Sequence, residues 1–403
     1  MTSLDALADE WAAAADEEAG ATVALRHAIH REPELGLDCP RTRDKLKAAL
    51  ANLPLTIRDS VRTSGFVALL EGTGAGDPSR TVLLRGDMDA LPIREATGLD
   101  FASEIEGAMH ACGHDSHSAM LAGAARVLCR QRDRFAGRIL FMFQPGEEGH
   151  HGAREMIAEG LIDDPLPGAA FAIHIWPNLP GGVLACRAGA MLASTDQVHI
   201  RVDGKGGHAA MPHDAIDPVP VAAEIVLALQ SEASRKAPVT TDPIVISISS
   251  IHAGETHNVL PDSVKLHGTF RALSPEGRAR GRAGIERVAT HVALAHGAEA
   301  EVWFEDGYPP TMNDPRAVAL VRQIAGASYV EAPAPSMGGE DFAYVLQKVP
   351  GAMGFLGVAP PDGDPLKRAP LHNPAMLVDD AVLPRGVALH CAFAMAFLQR
   401  GFD

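Results

Sequence analysis

The chain has 403 residues with 35 Lys and Arg against 51 Asp and Glu, a formal net charge of −16, and 46% of its residues are hydrophobic. So acidic a surface repels phosphate backbones and anionic lipid headgroups, which argues against nucleic acid or a membrane as partner. The apolar content suffices for sizeable cores and excludes a disordered chain, and at roughly 150 residues per domain the length points to two or three domains.

Residues 3–30 carry Leu4, Leu7, Trp11, Ala14, Val23, Leu25 and Ile29 at a loosely helical period. This start is acidic, unlike a signal peptide, and no run approaches the roughly 18 to 20 continuous apolar residues of a membrane span. The five cysteines, Cys39, Cys112, Cys129, Cys186 and Cys391, are odd in number and scattered. They do not form a disulfide framework and fit a reducing cytoplasm. Two β-like runs follow, Phe66–Leu70 and Thr81–Arg85, the second ending in RGDMDALP. MHACGHD precedes a helical stretch over 117–130, and the apolar run Arg138–Gln144 leads into PGEEGHHGA and another helix. Ala170–Ile175 reads as a further buried strand. Nearly continuous apolar strands alternating with helices predict a mostly parallel α/β sheet covered on both faces, with ligands at its C-terminal edge.

From about 190 to 305 the pattern changes to strand 197–202, helix 218–231, strands 244–251 and 263–271, helix 275–296 and strand 298–304. This β-α-β-β-α-β order is that of a ferredoxin-like α+β domain. The α/β texture then resumes with a helix near 315–328, MGGEDFAYVL, a strand-like 353–358, LHNP and a final apolar helix 384–399. The simplest organisation is a catalytic domain in two segments, 1–189 and 306–403, with a smaller domain, 190–305, inserted between them.

Four polar clusters could do chemistry: His110 to His117 around Cys112 and His114, Glu147-Glu148, His174 within AIHIW, and His372 within LHNP. Each alone has an ordinary explanation. A histidine in an apolar strand is usually a bonded core residue, paired glutamates a solvated turn, a cysteine a small buried side chain, and His-Asn-Pro a turn. Together they are harder to dismiss. Cys, His and Glu are zinc-type donors, a Glu-Glu pair directly after a buried strand is costly without a cation or strong donors, and there are enough donors for two metals sharing a water.

MHACGHDSH, QPGEEGHHGA, GKGGHAAMPH, NVLP, GTFRAL, MGGEDFAYVL and LHNP, in that order over about residues 25–395, resemble the M20 metallopeptidase family. The likeness is to its amidohydrolase branch of aminoacylases, hippurate hydrolases and auxin-conjugate hydrolases. The resemblance implies a two-metal catalytic domain with a mixed, mostly parallel sheet and an inserted lid that makes a homodimer. It implies Cys112, His114, Glu148, His174 and His372 as metal ligands, Glu147 as general base and Asp89 as an orienting carboxylate behind them. Asp87 lies where other branches carry a ligand histidine, which leaves its role open, as is that of Glu340-Asp341. His208 matches a lid histidine that stabilises the oxyanion, and Asn258 and Arg271 match residues that hold the substrate carboxylate. A tight strand entry and an ordinary salt bridge remain alternatives for the last two. Ser116 and Ser118 stand where the branch often has Gly and Thr. The implied activity is hydrolysis of small N-acyl amino acids, acetyl, benzoyl or aryl-acyl, by metal-activated water. Zinc or manganese is the expected cofactor, and cobalt or nickel is compatible. A dipeptidase or aminopeptidase of the same family, a thiol hydrolase with Cys112 as nucleophile and His114 as base, and a non-catalytic binding protein are the alternatives.

Overall fold

The computed structural model describes residues 7–402. Leu4 and the rest of 3–6 of the expected N-terminal helix lie outside the described residues. The chain forms two compact units, one of Met1–Gly189, Met312–Pro333 and Tyr344–Asp403, the other of Ala190–Thr311 and Ala334–Ala343.

The first unit holds β1 (Leu55–Asp59), β2 (Phe66–Glu71), β3 (Thr81–Asp87), β4 (Arg138–Gln144), β5 (Ala169–Pro180) and β6 (Leu184–Cys186). The second contributes β7 (Asp196–Asp203), β8 (Ile244–His252), β9 (Ser263–Ala272) and β10 (Glu299–Glu305), before β11 (Tyr329–Glu331) and β12 (Gly351–Ala359) return to the first. The first unit's sheet is eight-stranded, in the order β1-β2-β4-β3-β5-β12-β6-β11. Its middle, β4-β3-β5-β12, is parallel throughout, while β1, β2 and β6 add antiparallel pairings. β3 and β12 are buried at every residue, so both faces are covered, as continuous apolar strands require. Because the middle strands run the same way, their C-terminal ends share one edge, and there Asp87 and Gln144 close β3 and β4.

Helix α1 (Ala19–Arg31) packs on α2 (His114–Arg130), which in turn packs on β3 and on the last helix, α3 (Leu383–Arg400). The N-terminal segment is thus broken at Glu18 rather than continuous; Glu18 is 5% exposed and pairs with Arg126 and Arg130 of α2. α2 begins at His114, three residues before the sequence reading places it, because Gly113 supplies a left-handed entry at φ +84°. The stretch Asp380–Arg400 is, among the described residues, long and apolar enough to cross a membrane, which the sequence reading did not anticipate. Yet 83% of its most apolar window is buried inside the protein, where α3 serves as a core helix. All five cysteines are free and buried.

The second unit runs, in chain order, β7, helix Pro218–Ser231, β8, β9, helix Pro275–Ala295 and β10. Its strands form one antiparallel sheet, β8-β9-β7-β10. Alternation places Val198, Ile200 and Val202 of β7 on the face that meets both helices. Both helices start with Pro after a capping residue: Asp217 accepts from the Val219 amide and Ser274 from the Gly277 amide. This unit continues past residue 305 to Thr311 and takes in Ala334–Ala343, which the sequence reading gives to the catalytic segment. Backbone hydrogen bonds explain the difference. Thr195 N–H donates to Tyr308 O at 3.0 Å, and Ala193 N–H to the carbonyls of Ser336 and Gly338 at 3.1 and 3.0 Å.

One buried ion cluster ties α1 to α2. His30, 2% exposed, has Nδ1 2.8 Å from Asp115 Oδ2 and Nε2 3.2 Å from Glu95 Oε1. Carboxylates only accept, so the ring carries both protons. Burial opposes that charge, but Asp115 and Glu95 outweigh it and raise the His30 pKa from 6.5 to about 9. A pKa raised on folding stabilises fully below the unfolded value and ceases to as pH rises through the folded one. Denaturant unfolding should therefore lose on the order of 3 kcal/mol from this group between pH 6 and 9.5. His30→Gln should lack that component, and an identical slope in the variant would contradict the assignment.

Candidate metal centre

Five donor groups from distant parts of the chain meet at the C-terminal edge of the parallel strands. Cys112 lies in the turn before α2, His114 is the first residue of that helix, Glu148 follows β4, His174 is on β5, and His372 is on the segment after β12. Ligand atoms of Cys112, His114 and His174 lie within 4.8 Å of one another, and so do those of Cys112, Glu148 and His372. The two triads share Cys112. Cys112 Sγ is 3.4 Å from His174 Nε2, and His372 Nε2 is 3.3 Å from Glu148 Oε1.

The backbone explains why these groups converge. A Cβ at Gly113 would come within 2.4 Å of Ile175 Cγ1, so glycine alone allows the turn to press on β5. His372 adopts φ +64°, unusual for a residue with a side chain and costing roughly 1 to 2 kcal/mol. Its N–H donates to Ala111 O at 2.8 Å, which pins the LHNP segment to the Cys112 turn. Asp89 accepts the N–H of Glu147 on Oδ1 and that of Glu148 on Oδ2, both at 3.0 Å, and so fixes the Glu-Glu turn.

Hydrogen bonds also set which ring nitrogens are free. His174 Nδ1 donates to Ile175 O at 2.7 Å, leaving the Nε2 lone pair toward Cys112. His114 Nδ1 is 3.3 Å from Asp89 Oδ1, and its Nε2 faces Asp87 at 3.5 Å and Glu147 and Glu148 at 3.9 Å each. His117 was not singled out by the sequence, yet it belongs to the structure of the site. Its Nε2 accepts the Ile175 N–H at 2.8 Å, so Nδ1 bears the proton and donates to Asp87 Oδ1 at 2.6 Å. Both nitrogens are thereby engaged, and His117 supports β5 rather than offering a ligand atom. Asp87 is engaged too: Arg85 Nη1 donates to its Oδ2 at 2.6 Å. The available signal was spacing, since Arg85 and Asp87 share a strand face and His114 and His117 a helix turn.

The charge balance favours cations. Asp87, Asp89, Glu147, Cys112 and His114 are all buried. Among the described residues, neither ring nitrogen of His114 nor Glu148 Oε1 makes a well-aligned hydrogen bond, although Asp89, Asp87 and His372 stand 3.3 to 3.5 Å from them. Burial opposes charge on His114, yet Asp87, Asp89 and Glu148 outweigh it and lift its pKa to about 10. Burial and the carboxylates of Glu148, Glu147 and Asp87 push the Cys112 thiol well above its ordinary range. A thiolate forms there only with a cation beside it, which disfavours Cys112 as a free nucleophile. Soft sulfur, imidazole and carboxylate donors with unpartnered buried atoms fit divalent transition metals.

Residues 83–396 match the family described as Peptidase family M20/M25/M40. The chain is 37% identical to thermostable carboxypeptidase 1 of Saccharolobus solfataricus, over 94% of this chain and 95% of that protein. The chain belongs to this peptidase family. Among its members, IAA-amino acid hydrolase ILR1-like 2 of Arabidopsis thaliana is 37% identical over 94% of this chain and 85% of that one. The solved structure of a dinuclear metal binding peptidase of family M20 from Bacillus subtilis matches with a TM-score of 0.82 at 31% identity, covering 95% of this chain and 99% of that chain. M20 membership makes the chain a metal-dependent hydrolase acting on amides.

The remaining residues that the M20 resemblance singled out are in the second unit. His208 is exposed and pairs across a two-stranded ribbon with Val259, next to Asn258. Its Nδ1 accepts the Ala210 N–H at 3.1 Å, so Nε2 carries the proton as a donor. Asn258 Oδ1 accepts from Thr256 at 3.1 Å. Arg271 is half-buried on β9, and no hydrogen bond or ion pair to its guanidinium occurs among the described residues. Glu340 and Asp341 are buried in the same unit, with the Phe342 N–H donating to Glu340 Oε1 at 2.9 Å.

Asp89→Asn keeps the volume but leaves one acceptor for two backbone N–H groups and removes a negative charge behind His114. Metal affinity, measured by competition with a chelator, should fall about 10- to 100-fold with the fold retained. Unchanged affinity would show that the Asp89 contacts do not orient the donors.

Proposed function

We propose that the protein is an N-acyl-amino-acid amidohydrolase that releases a carboxylic acid and a free amino acid. The observation that carries this reading is the pair of donor triads sharing Cys112; Glu147, on the same turn as Glu148, belongs to neither of these two, though it also lies within ligand distance of His114 and Glu148. In this assignment Cys112, His114 and His174 hold one divalent ion and Cys112, Glu148 and His372 a second. Zinc or manganese suits the donors best, and cobalt and nickel are compatible. Bound there, such ions lower the pKa of water toward neutrality and polarise the scissile carbonyl.

The chain's own residues do the rest. Glu147 is the general base: it takes the proton of the attacking water and delivers it to the departing nitrogen. Asp89 keeps the two glutamates in separate tasks by holding the turn that bears both. In the second unit, the His208 Nε2 proton is the donor assigned to the oxyanion, and Asn258 and Arg271 are assigned to the substrate carboxylate. Arg271 suits that task because its fork matches a carboxylate, and the one acid that acts on its charge, Asp196, is ion-paired with Arg278. The unit bearing these three residues acts as a lid and joins two copies into a homodimer, and the substrate is a small molecule in the cytoplasm.

Glu147→Gln should retain both metals by elemental analysis and lower turnover of N-acyl amino acids by about 10² to 10⁴. Near-normal turnover would remove Glu147 from the base role. Chelation should abolish hydrolysis and metal return should restore it, whereas activity that survives chelation would favour a thiol mechanism.

A further inference from the structure

β5 carries more than a ligand. Side chains alternate along a strand, so His174 and Trp176 share one face. On the neighbouring β12, Phe355 pairs with His174 and Gly357 with Trp176. Three rings therefore cluster. Trp176 stacks on Phe355 with centroids 4.4 Å apart and planes at 30°. His174 meets Phe355 edge-on at 6.1 Å and Trp176 at 6.5 Å.

Phe355 is 7% exposed, whereas Trp176 is partly open to solvent and its indole N–H has no hydrogen bond among the described residues. The segment that delivers His372 passes the same strand, where Asn178 Nδ2 donates to the carbonyls of Pro365 and Arg368 at 3.0 and 3.1 Å. On that segment Leu366 is 81% exposed. An apolar aromatic face thus lies between His174 and the support of His372, backed by a buried ring that holds it in place.

We propose that Trp176, seated on Phe355, is the receiving surface for the acyl arm of the substrate and makes the enzyme select flat aromatic acyl groups over acetyl. This rests on the amidohydrolase reading above. The acyl substituent is one bond from the attacked carbon, so a ring on a carbonyl held beside His174 reaches a surface this close. A methyl group extends less far from that carbonyl than a ring does. Stacking and burial of an aromatic ring together are worth about one to two powers of ten in specificity.

The test compares kcat/KM for N-benzoyl and N-acetyl derivatives of the same amino acid, with metal content measured in every variant. In Trp176→Ala the benzoyl-to-acetyl ratio should fall about tenfold or more, and Trp176→Phe should restore most of it. An unchanged ratio, or a parallel loss on both substrates with metal retained, overturns the proposal. Should Trp176→Ala lose metal, Trp176→Leu, which keeps bulk without a ring, replaces it and is judged by the same ratio. Should the wild-type protein hydrolyse neither substrate, the amidohydrolase reading fails instead. Calorimetry of benzoate and acetate binding to the metal-loaded protein then decides the subsite. Tighter benzoate binding that Trp176→Ala removes supports it, and equal binding of the two acids overturns it.

Discussion

The carboxylates of Asp87, Asp89 and Glu147, the Cys112 thiol and the His114 imidazole are buried together at one sheet edge, where Arg85 ion-pairs with Asp87. Unpaired charge in a dry environment costs far more than any single packing contact returns. Arg85 and a protonated His114 offset part of that charge, and bound cations would offset the rest. The left-handed turn that Gly113 allows, the left-handed His372, held against local preference, and the tie from His372 N–H to Ala111 O bring the donors together. Strain of this kind persists where surrounding structure over-determines it, and it gathers at functional sites.

Around the donors stands a shell that decides their chemistry without joining them. Asp89 holds the turn of Glu147 and Glu148 and faces His114. Arg85, Asp87 and His117 form a chain that ends on the Ile175 N–H, the peptide group following His174. Asp87, where other branches of the family carry a ligand histidine, stands in the middle of this chain, between Arg85 and His117. β5 goes on to present Trp176, so one element joins a metal donor to the surface proposed to read the acyl group.

Much of this was legible in the sequence because its signals are local. Cys112, His114, Glu147 and Glu148 stand in short motifs beside apolar strands, and the β-α-β-β-α-β unit announces itself by strand alternation and by Asp217-Pro218 and Ser274-Pro275 at its helix starts. What escaped depends on partners far along the chain. The three-residue strands β6 and β11 have no period to detect and exist because they pair with each other and β6 with β12. The reach of the second unit to Thr311 and into Ala334–Ala343 is fixed by backbone bonds from Ala193 and Thr195. Helix α3 is apolar enough to resemble a membrane span, and only its tertiary surroundings identify it as core. His117 and Arg85 look like a surface histidine and a strand-end cation until the fold brings Asp87 between them.

The central proposal is that Cys112 would be a ligand to both cations. Anomalous X-ray scattering from crystals of the metal-loaded protein tests it directly. If Cys112 holds both ions, two peaks would lie within bonding distance of Cys112 Sγ, one also near His114 and His174 and the other near Glu148 and His372. A single peak, or two peaks neither of which contacts Cys112 Sγ, would contradict it.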